Sequence, residues 1–274
     1  MISDIHLGHP ACLVKKVENL APLFRGAGTV VFNGDSVELR FLKGRQIGQR
    51  HARTLEQVCL DAGAQPFFIN GNHDPILAHE SHLDLVGGAV LITHGDLLFH
   101  DISPWSHDAP IIGKEHKKVL AEMGDDAFYD FEKRLKASKR ASLAIELHKP
   151  RLPPGVLAAI FTVLRECWPP WRPLQIVRSW IVTPSKAVAL ARVFRPRARI
   201  IIIGHTHFAG VWKRGPRVIV NTGSFLPLSG GRIAVEICGE KVTPRKIVNA
   251  GERFEMGSEI DSFTATKLRP DEGY

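Results

Sequence analysis

Residues 29–38 read Thr29-Val30-Val31-Phe32-Asn33-Gly34-Asp35-Ser36-Val37-Glu38, a run of β-branched and aromatic residues that stops at a glycine and an acid. Such a run, from Thr29 to Phe32, is a buried strand that ends in a tight turn. The same grammar recurs along the chain. Pro66 to Ile69 leads into Gly71-Asn72-His73-Asp74, Ala89 to Thr93 into His94-Gly95-Asp96, and Arg199 to Ile203 into Gly204-His205-Thr206-His207. A fifth island, Asp4-Ile5-His6, stands near the start. Between these runs lie helical patterns: Val14, Val17, Leu20, Ala21 and Phe24 at helical spacing, and Gln46 to Ala62 unbroken until Gly63. Strands alternating with helices predict an α/β fold with a sheet between helical layers. In such folds ligands gather at the carboxyl ends of strands, where each island is expected to lie.

Composition narrows the class. The 274 residues suffice for one large domain or a domain with an insertion, and the apolar fraction is that of a globular core rather than a disordered chain. Cys12, Cys59, Cys167 and Cys238 show no CxxC spacing and follow no secretory signal, which predicts free thiols and a cytoplasmic location. No apolar run reaches the roughly 20 residues of a spanning helix; Val156 to Leu164 ends at Arg165. The net charge of +8 is concentrated: residues 113–200 carry +10 and the remainder −2. An anionic partner is the expected consequence, whether a phosphoester, a nucleic acid or a lipid headgroup. A solvated helical face explains the same charge equally well.

Residues 113–198 break the α/β grammar with charged helical sequence, six prolines between Pro150 and Pro173, and no strand. They read as an inserted basic helical subdomain, with Phe128, Phe131 and Leu135 forming a face against a helix at 154–167. Residues 1–112 and 199–250 form the core, with later strands at Gly210 to Trp212, Val218 to Val220, Ile233 to Ile237 and Lys241 to Val248. Residues 251–274 read as a polar, loosely held tail.

The islands together hold hard oxygen and imidazole donors, the inventory of a site for two divalent cations acting on phosphorus. Two dications about 3.5–4 Å apart need an anion between them, and Asp35 is the candidate bridge. Asp4 and His6 alternate along one strand end and point to the same side; His205 and His207 repeat that spacing. Asn72 and His94 complete the second ion. The neutral Asn72 oxygen keeps the site's net charge low enough for a phosphate to enter and a bridging hydroxide to stay nucleophilic. His9 and His100 lie near the islands as candidates to line a pocket, while the remaining histidines outside them read as structural.

On these motifs, Asp4 to His6, Gly34 to Glu38, Gly71 to Asp74, His94 and Gly204 to His207, the chain resembles the calcineurin-like metallophosphoesterases over residues 2 to 225. The resemblance implies a four-layer α/β/β/α sandwich of mixed sheets, here with an inserted helical lid. It implies that Asp4, His6, Asp35 and His207 hold one metal and Asp35, Asn72, His94 and His205 the other, with Mn²⁺ expected ahead of Fe, Zn or Mg. It gives His73 the role of contacting the phosphoryl group and protonating the leaving oxygen, poised by Asp74, and identifies Asn221 to Ser224 as the turn after the last motif. Hydrolysis of a phosphodiester or diphosphate by a metal-bridging hydroxide is the implied reaction.

Within the family, GDxxE, HGD and a basic apolar insertion are similar to the UDP-2,3-diacylglucosamine pyrophosphatases, whose insertion covers acyl chains. Residues 154–195 interleave Trp168, Trp171, Trp180, Ile181 and Phe194 with Arg165, Arg172 and Arg178. They are expected to hold acyl chains, bind the substrate's phosphates and touch the inner face of a membrane peripherally. The chain departs from that subfamily at His73: the subfamily resembles GNRD, whereas this chain has Gly71-Asn72-His73-Asp74, the general phosphodiesterase version. The alternative is a nucleic-acid or nucleotide phosphodiesterase that uses the basic insertion to grip a backbone; a non-catalytic scaffold of the same fold is the third reading. Only Met1, Ile2 and Ser3 precede Asp4, a lead of about 10 Å against the longer strand usual in the family, so a start further upstream is expected.

Overall fold

The computed structural model describes residues 1–40, 42–144, 171–227 and 230–267. Its centre is a five-stranded sheet ordered β3-β4-β5-β7-β6, from β3 (His82–Leu85), β4 (Val90–Thr93), β5 (Ile200–Ile203), β7 (Arg217–Asn221) and β6 (Gly210–Arg214). β4, β5 and β7 run parallel, and the two edge strands are antiparallel. Parallel central strands are covered on both faces, which explains why β5 is four isoleucines in a row. Alternate residues serve opposite faces. Leu91, Ile201, Ile203 and Ile219 pack with Phe131, Leu135, Ala187 and Leu190, whereas Val90, Ile92, Ile200 and Ile202 pack with Ile233, Val235 and Val242.

The remaining strands lie across that second face. β1 (Thr29–Asn33) pairs parallel with β2 (Gln65–Ile69), and β8 (Ile233–Cys238), β9 (Lys241–Ala250), β10 (Arg253–Glu259) and β11 (Phe263–Thr264) form an antiparallel sheet. Residues 1–3 join the two groups. Ile2 bridges Phe32 in parallel, and Met1 exchanges hydrogen bonds of 2.8 and 3.0 Å with Val235. Outside β1 pack α1 (Leu42–Asp61) and the 3₁₀ turn Val17–Leu23, through Leu20, Phe24, Leu55 and Cys59. Gly63, at φ +85°, closes α1 as expected. Cys12, Cys59 and Cys238 are free thiols, and no described helix is long and apolar enough to cross a membrane.

The described part of 113–198 is helical: α2 (Ala109–Glu122), α3 (Phe131–Leu143) and α4 (Arg172–Phe194). α2 starts four residues before the expected boundary. Phe131 and Leu135 pack against α4, with the Phe131 and Phe194 rings 5.4 Å apart, while Phe128 is exposed; the expected partner helix at 154–167 lies outside the described residues.

The expectation of a loose tail after Ala250 does not hold for the described residues 251–267. Gly251, at φ +66°, turns β9 back into β10, and Phe254 and Phe263 are buried. A strand with one solvated face needs few apolar residues, so its polar composition hid it. Phe254 stacks edge-on against Phe225 at 5.1 Å. Phe254→Ala is expected to lower unfolding stability by about 3–5 kcal/mol in urea denaturation; a loss below about 1 kcal/mol would mean the segment is held loosely.

Candidate metal centre

All five islands fall beyond the carboxyl ends of strands or bridges: Asp4 after Ile2, Asp35 after β1, Asn72 after β2, His94 after β4, and His205 and His207 after β5. Asp4, His6, Asp35, His205 and His207 all have φ between 52° and 66°. The left-handed region is rare for residues with a Cβ, though aspartate and histidine tolerate it best. Asp4 and His6 therefore do not alternate along a strand, as their spacing suggested; successive left-handed turns aim them, and the same holds for His205 and His207. A Cβ at Gly71 would collide with the Asp35 carboxylate, and one at Gly204 with that of Asp4. The turn after β7 holds these loops: Asn221 Nδ2 donates to Gly204 O and Thr206 Oγ1, and Ser224 Oγ donates to Asp4 O.

The side chains converge in two groups around Asp35, with a third, His6, Glu38 and His73, beside them. Asp4, His6, Asp35 and His207 place one potential ligand atom each within 4.8 Å of one another, and so do Asp35, His94 and His205. Asp35 belongs to both. In the first group His6 Nε2 is 3.1 Å from His207 Nε2 and 3.8 Å from Asp35 Oδ2, and His207 Nε2 is 3.2 Å from Asp4 Oδ1. In the second, His94 Nε2 is 3.1 Å from Asn72 Oδ1 and 3.3 Å from Asp35 Oδ2.

The far nitrogens of the imidazoles fix their tautomers. His6 Nδ1 donates to Glu38 (2.9 Å), His94 Nδ1 to Asn33 O (3.0 Å) and His205 Nε2 to Ile102 O (2.7 Å). When neutral, each ring then directs a lone pair inward, as metal-binding histidines do. His94 Nε2 so placed faces two oxygens, an arrangement of acceptors that calls for a cation. The donor set fits divalent ions: imidazoles, carboxylates and one amide oxygen, two of the carboxylates wholly buried.

Electrostatics agree with that fit. Burial pushes the Asp35 carboxyl up, but the charges of His94 and His73 outweigh it and hold the group well below the usual range. Asp4 is likewise pushed up by burial and pulled down further by His207 and His94. Burial opposes charge on His94, yet Asp35, Asp4 and Asp96 raise it to about 10. A proton on His94 relieves the surrounding carboxylates as a metal cation does. His205 is lowered to about 4 by burial and by His94.

His73 stands at the rim, partly exposed, with its backbone N–H on Asp35 Oδ1 at 2.7 Å. Asp74 does not poise the imidazole. Its carboxylate accepts backbone N–H groups of Asp35, Ser36 and Gly71 and so ties two loops together. The imidazole instead meets Glu38, whose two oxygens are each 2.9 Å from His73 Nδ1, with Arg40 Nη2 at 3.0 Å. Burial raises the Glu38 carboxyl, but His73 and His6 hold it well below the usual range. Glu38 closes the Gly34–Glu38 motif, but its contact with His73, like that of Arg40, has no local sequence signal. Ile102 has none either: it is a fully buried β-branched residue at φ 59°, and its carbonyl accepts the His205 Nε2–H.

Of the remaining expected site residues, Arg172 is buried at the start of α4, donating to Trp105 O and contacting His107; Arg178 is exposed; Arg165 lies outside the described residues. Burial places Arg172 in the scaffold rather than on a free substrate-binding face. The His9 ring is 6.2 Å from His6, while His100 packs on His116, which bonds its carbonyl. A cavity of about 350 Å³ lined by Val177, Trp180, Ile181, Phe208, Trp212 and Arg214 adjoins the histidine loop. Trp180 Nε1 donates to Thr206 O at 2.9 Å, and its ring stacks on Phe208 at 4.6 Å.

No family model matches the chain, nor does any curated protein. Among solved structures, the chain is similar to Vacuolar Protein Sorting 29 from Cryptosporidium parvum, at 11% identity over 96% of this chain and 95% of that one, with a TM-score of 0.46. It is also similar to a conserved uncharacterized protein of Streptococcus pneumoniae described as a predicted phosphoesterase (16% identity, 96% and 94% covered, TM-score 0.37). A dimetal phosphatase from Danio rerio shares 11% identity over 84% and 83%, with a TM-score of 0.35.

Asp96 makes a separable contribution to the pH dependence of stability, beside the depressed carboxyls of Asp4, Asp35 and Glu38. Burial pushes its carboxyl up, but Lys139, His94, His205 and the Ser138 hydroxyl hold it down at about 2. A carboxylate depressed on folding stabilises fully above its unfolded value, here 3.8, and that contribution is lost as pH falls through the folded value. In the metal-free protein the urea midpoint should therefore fall between about pH 4 and about pH 2. The fall should be shallower in the double variant Asp96→Asn, Lys139→Met, which removes both charges. Equal slopes would show that this carboxylate contributes nothing.

Proposed function

We propose that this chain is a two-metal phosphoesterase that hydrolyses a phosphodiester or diphosphate bond. The observation that carries the reading is Asp35, one buried carboxylate shared by two converging groups of ligand atoms. Asp4, His6, Asp35 and His207 would hold one divalent ion, and Asp35, Asn72, His94 and His205 the other, Mn²⁺ being the expected metal. Bound ions of this kind supply Lewis acidity and lower the pKa of water, so that a nucleophile exists at neutral pH.

The chain's own residues do the rest. His73, at the rim beside Asp35, is placed to meet a substrate entering from solvent and to hand a proton to the departing oxygen. Glu38 orients its ring through Nδ1. The same carboxylate bonds His6 Nδ1, so acid and ligand are aligned by one group. Asn72 contributes an uncharged donor, which limits repulsion of a phosphate anion.

The three largest apolar clusters support the four-layer α/β/β/α reading, with α3 and α4 outside one sheet and α1 outside the other. For the substrate, the apolar cavity against the 205–208 loop favours a phosphoester with an apolar portion, such as a lipid-linked sugar nucleotide of the UDP-2,3-diacylglucosamine kind, presented at the inner face of a membrane. The exposed apolar residues Leu174, Val177 and Ile181 on α4 and Trp171 just before it, with Arg178 among them, suit such a surface. The alternative is a nucleic-acid phosphodiesterase that uses the basic surface, and steep loss of binding with salt would favour it. A scaffold without turnover is the less supported reading, because every expected ligand side chain is present.

Hydrolysis of bis(p-nitrophenyl) phosphate should depend on Mn²⁺ and be almost abolished in Asp35→Ala and His94→Ala; full activity in both variants would overturn the reading. His73→Ala should keep its metal while turnover falls by about 10²–10⁴-fold. Metal content falling in step with rate would instead make His73 a ligand.

A further inference from the structure

Asp96 follows His94 by two residues, is wholly buried, and has no role in either group of ligand atoms. Its carboxylate is engaged from the inserted region. Lys139 Nζ lies 2.9 Å from both Asp96 oxygens, and the Ser138 hydroxyl donates to Oδ2. Lys139 is itself buried, so this is an ion pair inside the protein rather than a surface contact.

Stability alone is a poor reason for such a pair, because desolvating two charges offsets much of their attraction, and apolar residues of similar volume often serve as well. An ion pair gives what apolar residues do not, a fixed position. Leu97 and Leu98, in the turn that Asp96 opens, pack in the same cluster as Phe131 and Leu135 of α3, and His94 O accepts the Gly204 N–H at 2.9 Å. Holding Asp96 thus holds the loop between His94 and α3 at both ends.

We propose that Ser138 and Lys139 are positioning residues for the subsite formed by Asp35, Asn72, His94 and His205. This rests on the two-metal reading above. On this view α3 is a buttress built into the centre, and the inserted region is not wholly a detachable cover.

The test is titration of the metal-stripped full chain with Mn²⁺ by calorimetry, with His207→Ala and His94→Ala identifying which binding event belongs to which subsite. Lys139→Met is expected to weaken the event that His94→Ala removes by about 10- to 100-fold, as loss of a supporting interaction behind a ligand does, and to leave the other unchanged. Lys139→Arg should restore part of the affinity, and Arg140→Met, at the exposed neighbouring position, should change nothing. If Lys139→Met does not fold, Ser138→Ala removes a single hydrogen bond and should shift the same event in the same direction. A lowered melting temperature with an unchanged ratio of the two affinities would make the pair merely structural and overturn the proposal. If the unmodified chain binds fewer than two ions, the two-metal reading fails and this inference fails with it; if His94→Ala removes one event and the α3 variants leave it untouched, only this inference fails.

Discussion

Asp35 is a carboxylate placed where water cannot reach it, and most of the structure is organised around keeping it there as an anion. One oxygen takes the His73 N–H; the other faces ring nitrogens of His94, His6 and His73 at 3.3 to 3.9 Å. Its own N–H goes to Asp74, whose carboxylate in turn gathers Ser36 and Gly71. An isolated buried charge of this kind is prohibitively unfavourable, so the opposing imidazoles and backbone donors are a condition of folding as well as of chemistry.

That convergence carries backbone strain. Five candidate ligands and Ile102 occupy the left-handed region, where each non-glycine residue costs of order 1–3 kcal/mol. The strain persists because its supports are rigid. β4, β5 and β7 are packed on both faces by isoleucine, valine and leucine, and the turn at Asn221 to Ser224 pins the strained loops to one another.

The helical region contributes to the centre from behind. Ile102 receives His205, the Trp105 ring lies 5.3 Å from it, and Arg172 at the start of α4 bonds the Trp105 carbonyl. Trp180 holds the Thr206 carbonyl from the other side, with an apolar cavity beyond it. The single helix α4 therefore touches both the ligand loops and the space beside them, which links the geometry of the reacting centre to the shape of what can bind there.

The order of strands and islands was legible in the sequence because β-branched runs, glycines and metal-type side chains each carry a local physical signal: strand burial, turn conformation and donor chemistry. Thr29 to Phe32, Ala89 to Thr93 and Arg199 to Ile203 lie where those signals put them, to within a residue. β3 and β10 were not legible, being short or polar edge elements stabilised by pairing rather than by composition. The exchange of Asp74 for Glu38 as the partner of His73, the left-handed aim of Asp4 and His6, and the pairing of Asp96 with Lys139 were decided only in three dimensions. Residue type determines which atoms can bind a cation or a proton. Which of them meet, and what stands behind them, depends on contacts between segments as far apart in sequence as Asp4 and His205, and local sequence carries no record of those.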